Sequence, residues 1–484
     1  MTLAATTETH PRLFEPATLI LVLLLSVFGA IIGLQLLTTL GVTPNTSMIG
    51  ALVAIGLARI PLAWFRRYRS IHVQNLAQSA ISAATFGAAN SLLLPIGIPF
   101  VLGRADLILP MFAGVACAML LDGFLLYRMF DSTVFPAEGA WPPGVAAAEA
   151  IRAGDEGGRK AVILGLGVGV GAAGSWFGIP MSAFGIAFIG NVWALAMFGV
   201  GLLLRGYSKT LFSGTVFQSI FPGGDLNAAL VPHGFMIGAG LMALVQVGVV
   251  ICRRDTQAAA NPAAANPVAA NMPAANISAA SGVGRILGFG FAGYLCIAVG
   301  IALAGGLMSD LSTGRLIAFV IYAAFAAFVH ELLVGLAAMH SGWFPAFAIA
   351  LITLLIGILA GFPVPALALL VGFSAATGPA FADMGYDLKA GFILRTGHGA
   401  AFEADGRRQQ LYAAMAAFTV AIVVVGLTWQ GYFAQNLIPP VDRVYATTIR
   451  TGITGPAAMS MVLWAIPGAL LQVLGGQRRQ LGVL

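Results

Sequence analysis

Long apolar runs follow one another along almost the whole chain. They fall near 16–40, 46–64, 73–96, 107–130, 160–178, 181–204, 232–251, 285–307, 315–335, 343–361, 363–382, 410–430 and 456–474. Each is comparable with the ~20 residues a helix needs to cross a hydrocarbon core of about 30 Å. A shorter apolar piece at 210–222 ends in Phe221-Pro222-Gly223-Gly224 and reads as half a crossing. Only 9% of the 484 residues are charged, against roughly 25% in an ordinary soluble domain. No soluble fold can cover so much apolar surface. In lipid the backbone must satisfy its own hydrogen bonds, which favours helices. The expected fold is therefore all-α, a polytopic transmembrane helical bundle with broken or re-entrant segments.

The 61 glycines fit this reading. In water they would weaken helices, but in lipid small residues let helices approach closely. The formal charge of +6 sits in short loops, where Lys and Arg act as topology signals rather than as a nucleic-acid surface. Cys117, Cys252 and Cys296 are scattered and odd in number, with neither a disulfide framework nor a metal spacing. The polar residues 1–15 precede a run too long for a signal peptide, so that run is expected to remain as a first span.

Basic residues predict the orientation. Arg66, Arg67 and Arg69, then Arg152, Arg159 and Lys160, then Arg205 and Lys209, then Arg253 and Arg254 follow successive spans. Lys389, Arg395, Arg407 and Arg408, and finally Arg478 and Arg479, continue the pattern. Placing all of them in the cytoplasm puts the N-terminus inside. Arg205 and Arg254 then share a side only if 210–231 crosses as a broken helix. Residues 255–284 open with an Ala/Asn/Pro tract that reads as a disordered cytoplasmic linker. It divides an N-terminal membrane half, 1–254, from a C-terminal half, 285–484. No convincing repeat relates the halves.

Ionisable or amide side chains inside apolar runs are costly, at ~2.5–3.5 kcal/mol for a charge on the insertion scale, and each is a functional candidate. Glu331, beside His330, lies deep in AFVHELLVGLAAMHSGWFPA and is the best proton carrier, because a desolvated carboxyl holds and releases its proton near neutral pH. His330 and His340 read first as hydrogen-bonded structural histidines; His340 is also kept as a substrate contact. Gln74, Asn75, Gln78 and Ser79 open the third span. Gln74 and Gln78 share a face that should look into protein or a polar cavity, either to bond neighbouring helices or to hold substrate. The stretch 135–158, FPAEGAWPPGVAAAEAIRAGDEGG, reads as a re-entrant segment followed by an amphipathic helix, with Glu149 a second candidate for proton coupling or a headgroup-level residue. Asp383, Asp387 and Lys389 are expected to end a span, just after Gly378-Pro379; Asp383 and Asp387, one helical turn apart if the helix continues, either bind a cation or mark the membrane exit. Asp122 and Asp310 are secondary candidates.

Three of these segments match a known pattern. Phe135-Pro136 through Pro143-Gly144-Val145-Ala146-Ala147-Ala148-Glu149, running on to Ala153-Gly154-Asp155, resembles the "FPSG-A-AE…KAG" signature of the oligopeptide transporter family, which includes the yellow-stripe-like metal–chelate transporters. Gln74-Asn75-Leu76-Ala77-Gln78-Ser79-Ala80 is similar to its "QNL-QT-A" segment. Asp387-Leu388-Lys389-Ala390-Gly391 is similar to its "DLKTG" loop motif. The chain departs from the pattern at Val73, where relatives carry an acidic residue, and around Glu138-Gly139-Ala140-Trp141, where the signature is longer. The resemblance implies proton-coupled import of small peptides or metal–chelate complexes, and more spans than are counted here, so either the C-terminal half is trimmed or the sequence is a fragment.

Other classes fit less well. Tyr386-Asp387 and Gly223-Gly224-Asp225 only faintly echo the aspartate pair of intramembrane proteases, and there is no HExxH, nucleophile elbow or P-loop. The expected protein is no enzyme and uses no cofactor. It is a symporter driven by a proton gradient, in the plasma membrane (a bacterial inner membrane), with Glu331 and Glu149 coupling protons. Gln74, Asn75, Gln78, Ser79, His340 and Asp383 would meet the substrate. A passive channel is the alternative. The expected partners are the lipid bilayer and a small peptide or metal chelate, with no nucleic acid; a homodimer is allowed.

Overall fold

The computed structural model describes residues 9–41, 43, 46–156, 158–178, 192–214, 222–260, 275–342, 346–452 and 456–479. In chain order the helices are α1 (Pro16–Leu40), α2 (Ser47–Ala58), α3 (Ile71–Phe86), α4 (Leu94–Leu102), α5 (Ile108–Met129), α6 (Pro142–Glu156), α7 (Gly158–Trp176), α8 (Val192–Gly206) and α9 (Ser208–Phe212). They continue as α10 (Val231–Ala260), α11 (Ala275–Ala304), α12 (Thr313–Ser341), α13 (Ala346–Leu359), α14 (Val364–Ala376), α15 (Pro379–Leu394), α16 (Ala400–Ala434), α17 (Pro440–Thr451) and α18 (Pro456–Arg479). Among the described residues, seven helical stretches are long and apolar enough to cross a bilayer. The chain is a polytopic helical membrane protein.

α1 sets the frame. Its 25 residues extend about 37 Å at 1.5 Å per residue. Near its start, Glu15 pairs with Arg67 at 3.6 Å. Arg69 donates to the Ala58 carbonyl, and Arg395 and Arg407 both reach Glu403 at the start of α16. This is the Arg-rich end. At the far end of α1, Arg205 donates to the Leu40 and Thr39 carbonyls at 2.6 and 3.1 Å. Arg205 therefore lies across the membrane from Arg66 and Arg67, which corrects its predicted side. The predicted crossing of 210–231 falls with it. Lys209 pairs with Asp225 at 3.3 Å, so the chain returns to the level it left; residues 215–221 lie outside the described residues. α10 then starts at the far end and needs one crossing to bring Arg253 and Arg254 to the Arg-rich end. Helix also enters both ends of the 255–284 tract, through Ala260 and from Ala275, and 261–274 lie outside the described residues.

Two predicted spans are half-crossings. α2 has 12 residues, and its N-cap Thr46 donates to Thr85, which in turn donates to the Gly29 carbonyl in mid-α1. α2 thus begins about 16 Å below the end of α1 and runs back to the Arg-rich end. α13 does the reverse. The Ala346 carbonyl at its start meets His330, eleven residues above the end of α12, and its last turn ends beside Arg315, near the start of α12. Two other crossings are interrupted. α3 passes into α4 through a π-helical stretch, Gly87–Leu93. α14 stops at Thr377 and α15 restarts at Pro379, with Gly378 at φ +97° between them. A proline at the first turn of α15 suits a restart, and a positive φ suits glycine.

These elements form two inverted repeats, α1–α6 and α12–α17, although no convincing repeat is legible in the sequence. Ser82-Ala83-Ala84-Thr85 recurs as Ser374-Ala375-Ala376-Thr377, at an offset of 292 residues, each time just before the interruption. Thr85 donates to Gly29 of α1, and Thr377 to Ala327 of α12, both at 3.0 Å. Ser82 meets Ser47 of half-helix α2, and Ser374 meets Thr353 of half-helix α13. The amphipathic helices correspond too. α6 follows Pro142-Pro143 with Ile151-Arg152-Ala153-Gly154; α17 follows Pro439-Pro440 with Ile449-Arg450-Thr451-Gly452. Arg152 donates to the Ile393 carbonyl and Arg450 to the Val101 carbonyl, 292 residues apart again. Each guanidinium meets a carbonyl in the last turn of the second half of an interrupted helix, where helix carbonyls lack partners. α6 closes over α2, α3 and α15 at the Arg-rich end; α17 closes over α4, α13 and α14 at the far end.

Candidate functional site

The interruptions bring polar groups together in the bundle interior. α15 is buried along most of its length, and its acids face α3. Gln78 donates to Asp387 Oδ1 and Ser82 to Asp383 Oδ1, both at 2.5 Å. Asn75 donates to Gln78 Oε1 at 2.8 Å, which fixes the Gln78 amide with its NH₂ toward Asp387. Gln410 of α16 donates to the Asp387 carbonyl at 2.6 Å and to Ser79 at 3.1 Å. Gln410 Oε1 accepts from Arg395 at 2.9 Å, and Arg395 pairs with Glu403 at 2.6 Å. Glu403 and Asp131 both hold Arg407 at 3.0 Å. One hydrogen-bonded chain therefore runs from the buried acids to the Arg-rich end. Asp383 Oδ2 and Asp387 Oδ2 each remain without a partner among the described residues.

A second group lies on the other side of the α14–α15 break. Asp122 of α5 accepts from the Gly378 N–H at 3.0 Å and from the Tyr294 hydroxyl of α11. The Tyr294 hydroxyl also lies near Glu331 of α12. A helix N-terminus carries unpaired N–H groups and a positive dipole end, so Asp122 is where an acid is stabilised. Glu331 is 1% exposed, with Oε1 unpartnered. His330 spans the Thr377 and Ala346 carbonyls at 2.6 and 3.0 Å, tying the break to the start of α13. Two pairs of acids thus flank a single backbone discontinuity.

The end of the site toward Arg395 is sealed by aromatic packing. Phe135 and Trp141 are fully buried, and Trp141 sits edge-on to Tyr386 with ring centroids 6.0 Å apart. A Cβ on Gly385 would stand 2.1 Å from the Trp141 ring, so only glycine admits the indole there. Lys389 donates to the Ala137 carbonyl at 2.7 Å and fastens the same loop.

The candidates divide accordingly. Gln78, Ser79, Asp383 and Asp387 meet in one network, and Asn75 orients it. Gln74 is buried but donates locally, to Tyr68. Glu149 lies on the exposed face of α6 beside Arg152 at 3.3 Å, apart from the buried acids, because the amphipathic helix turns its alanines inward. His340 is half-buried in the last turn of α12, about 13 Å along the helix from Glu331. The DLKAG motif is not a loop. Asp387 and Lys389 lie inside α15, since the chain breaks upstream at Gly378 and the restarted helix continues to Leu394. Asp310 is exposed. Tyr294, Ser82, Gln410 and Arg395 escaped sequence reasoning. The repeated SAAT tetrapeptide marks Ser82, and the lone hydroxyl in an apolar run marks Tyr294.

Outside the spanning helices, His10 packs against His72 and Phe402, with ring centroids 5.2 and 5.1 Å apart, and burial lowers its pKa to about 4.

No curated protein and no solved structure matches the chain. Residues 16–254, which include the first repeat, the amide segment and the α6 signature, match the model of the OPT oligopeptide transporter protein family. Over residues 16–254, just under half its length, the chain matches the oligopeptide transporter family.

Proposed function

We propose that this chain is a proton-coupled symporter that imports small peptides or metal–chelate complexes across the plasma membrane, with its Arg-rich end in the cytoplasm. The observation that carries this reading is the pair of acid groups, Asp122 with Glu331 and Asp383 with Asp387, on either side of the break at Gly378. Discontinuous helices near the midplane are where carriers hold substrate and coupling ions. Amides and acids around Gln78, Ser79 and Asp383 suit the donors and acceptors of a peptide or a chelate. Glu331, buried near Asp122 and Tyr294, is the proton carrier: two acids this close share protons more readily than they hold two charges. The proton gradient is the driving force. Inverted repeats closed at opposite ends by α6 and α17 suit alternating access better than a standing pore.

The test is uptake into proteoliposomes under an inward proton gradient, using a library of short peptides and ferric or nickel chelates. Glu331→Gln should abolish uphill accumulation and leave exchange of preloaded substrate intact. Uphill uptake that survives this change removes Glu331 from the coupling role, and accumulation indifferent to the proton gradient removes proton coupling altogether.

A further inference from the structure

The two repeats differ at one equivalent contact. At the Arg-rich end α6 presses Gly144 against Lys389 of α15, with a Gly144 Cβ only 2.8 Å from Lys389 Cβ. At the far end α17 presses Asp442 against Gly97 of α4, the residue 292 positions before Lys389. The large side chain has changed partners, and so has its charge. Lys389 has a carbonyl to bond. Asp442 is fully buried, and neither carboxyl oxygen has a partner among the described residues. Its Oδ2 lies where a Gly97 Cβ would fall, 1.8 Å from it.

No counter-charge faces Asp442 from the helices packed on it. α4, α13 and α14 contain no charged residue, and the charges of α18, Arg478 and Arg479, lie at its other end. On α17 itself Arg443 is exposed and donates to Asn436, and Arg450 donates to Val101. Arg205 and His233 line the neighbouring cavities, and Arg205 is spent on α1. A carboxylate buried in such a place, with only the solvent-exposed Arg443 to attract it, is strongly disfavoured, so the contact accepts the neutral acid and rejects the anion. The residues on either side of Asp442 open onto space. Pro440 and Val441 line a cavity of about 240 Å³; Arg443 and Val444 line an adjoining one of about 280 Å³. Pro440, Arg443, Val444 and Thr447 share the face of α17 turned away from Asp442, so this space leaves α17 room to move off α4.

We propose that Asp442 is a proton-binding site that latches the far end of the transporter: protonated, it lets α17 seat on Gly97, and ionised, it drives α17 off. On the symport reading above, on which this rests, an external proton must bind before the outer end can close over substrate. Coupling would then have an outer checkpoint as well as the buried acids.

The test needs no substrate. Thr447, which lines the larger cavity, is replaced by cysteine in a chain whose Cys117, Cys252 and Cys296 are alanine. The protein is reconstituted and labelled with a membrane-impermeant maleimide at external pH 5.5 to 8. Rates are divided by those of the detergent-unfolded protein at each pH. The corrected rate should rise about tenfold with pH, as expected for a shift of about 1.4 kcal/mol between closed and open forms. Asp442→Asn should hold it low and flat. Gly97→Ala, whose methyl group displaces the carboxyl, should hold it high and flat. The proposal is overturned if Asp442→Asn keeps the parent pH profile, or if Gly97→Ala labels no faster than the parent. Uptake that ignores the proton gradient while labelling still follows Asp442 would sink the symport reading and leave the latch standing.

Discussion

The two inverted repeats share a frame and divide the chemistry. In each, a long helix meets a half-helix that starts at mid-depth, then an interrupted crossing, then an amphipathic closing helix. The side chains at equivalent positions differ. Gln74, Asn75 and Gln78 of α3 correspond to Ala366, Leu367 and Leu370 of α14. Asp383, Asp387 and Lys389 of α15 correspond to Ser91, Pro95 and Gly97. One repeat brings amides and the other brings acids, and they meet where Gln78 reaches Asp387. Symmetry supplies two equivalent ways to pack, one for each side of the membrane. Asymmetry supplies a single site between them.

The largest expected effect comes from erasing that asymmetry. Gln78→Leu gives α3 the residue type that α14 carries at 370 and strips Asp387 of its donor. A buried acceptor left unpaired costs about 1–3 kcal/mol, so uptake should fall at least about tenfold and the melting temperature should drop. Unchanged uptake and melting would make the amide–acid pairing incidental.

Next are the two interruptions. Gly378→Ala forces a side chain into φ +97° and to 2.8 Å from Val334 Cβ, for about 1–3 kcal/mol of strain. Gly87→Ala, at φ −60°, meets first the tip of the pliable Met119 side chain and should cost less. Thermal unfolding of the pair in detergent measures the difference; equal losses would mean that the two breaks are mechanically alike.

Acid should then separate the two ends. His10 titrates near 6.5 when unfolded and near 4 when buried. Below pH 6.5 the unfolded chain takes up a proton that the folded chain refuses, so stability falls as pH drops toward 4. His10→Gln should flatten that part of the melting profile; an unaltered slope would exclude His10 as its source. The smallest effect belongs to the matched arginines. Arg152→Ala and Arg450→Ala should each cost a few tenths of a kcal/mol, because both guanidiniums are partly in solvent. Hydrogen exchange should rise in the last turn of α15 for the first and of α4 for the second. Changes in other segments would break the correspondence.

The apolar runs made the helical fold legible, since each long run had one solution in lipid. They concealed the half-helices, because run length cannot separate a 12-residue helix plus its approach from a full crossing. Arginine counting misplaced Arg205, which follows a span as a loop cation would but is consumed by the carbonyls ending α1. The repeat was hidden because only SAAT and the sparse Pro-Pro/Ile-Arg-x-Gly spacing survive in the residues. Within the site, Gln78, Asp383, Asp387 and Glu331 were readable as polar groups in apolar surroundings. Their grouping was not, since it depends on the Gly378 break, which the pair Gly378-Pro379 announces without saying how the chain resumes.

The half-helices also bear on how the chain is made. A stretch as short as α2 cannot stay in a bilayer alone: at 12 residues it reaches about 18 Å. Its N-cap residue Thr46 is held by Thr85, which is synthesised later. α13 likewise begins against His330 and is completed by α14. During synthesis each hairpin must therefore wait beside the translocon until the following interrupted helix emerges, and the unit that enters lipid is three helices rather than one.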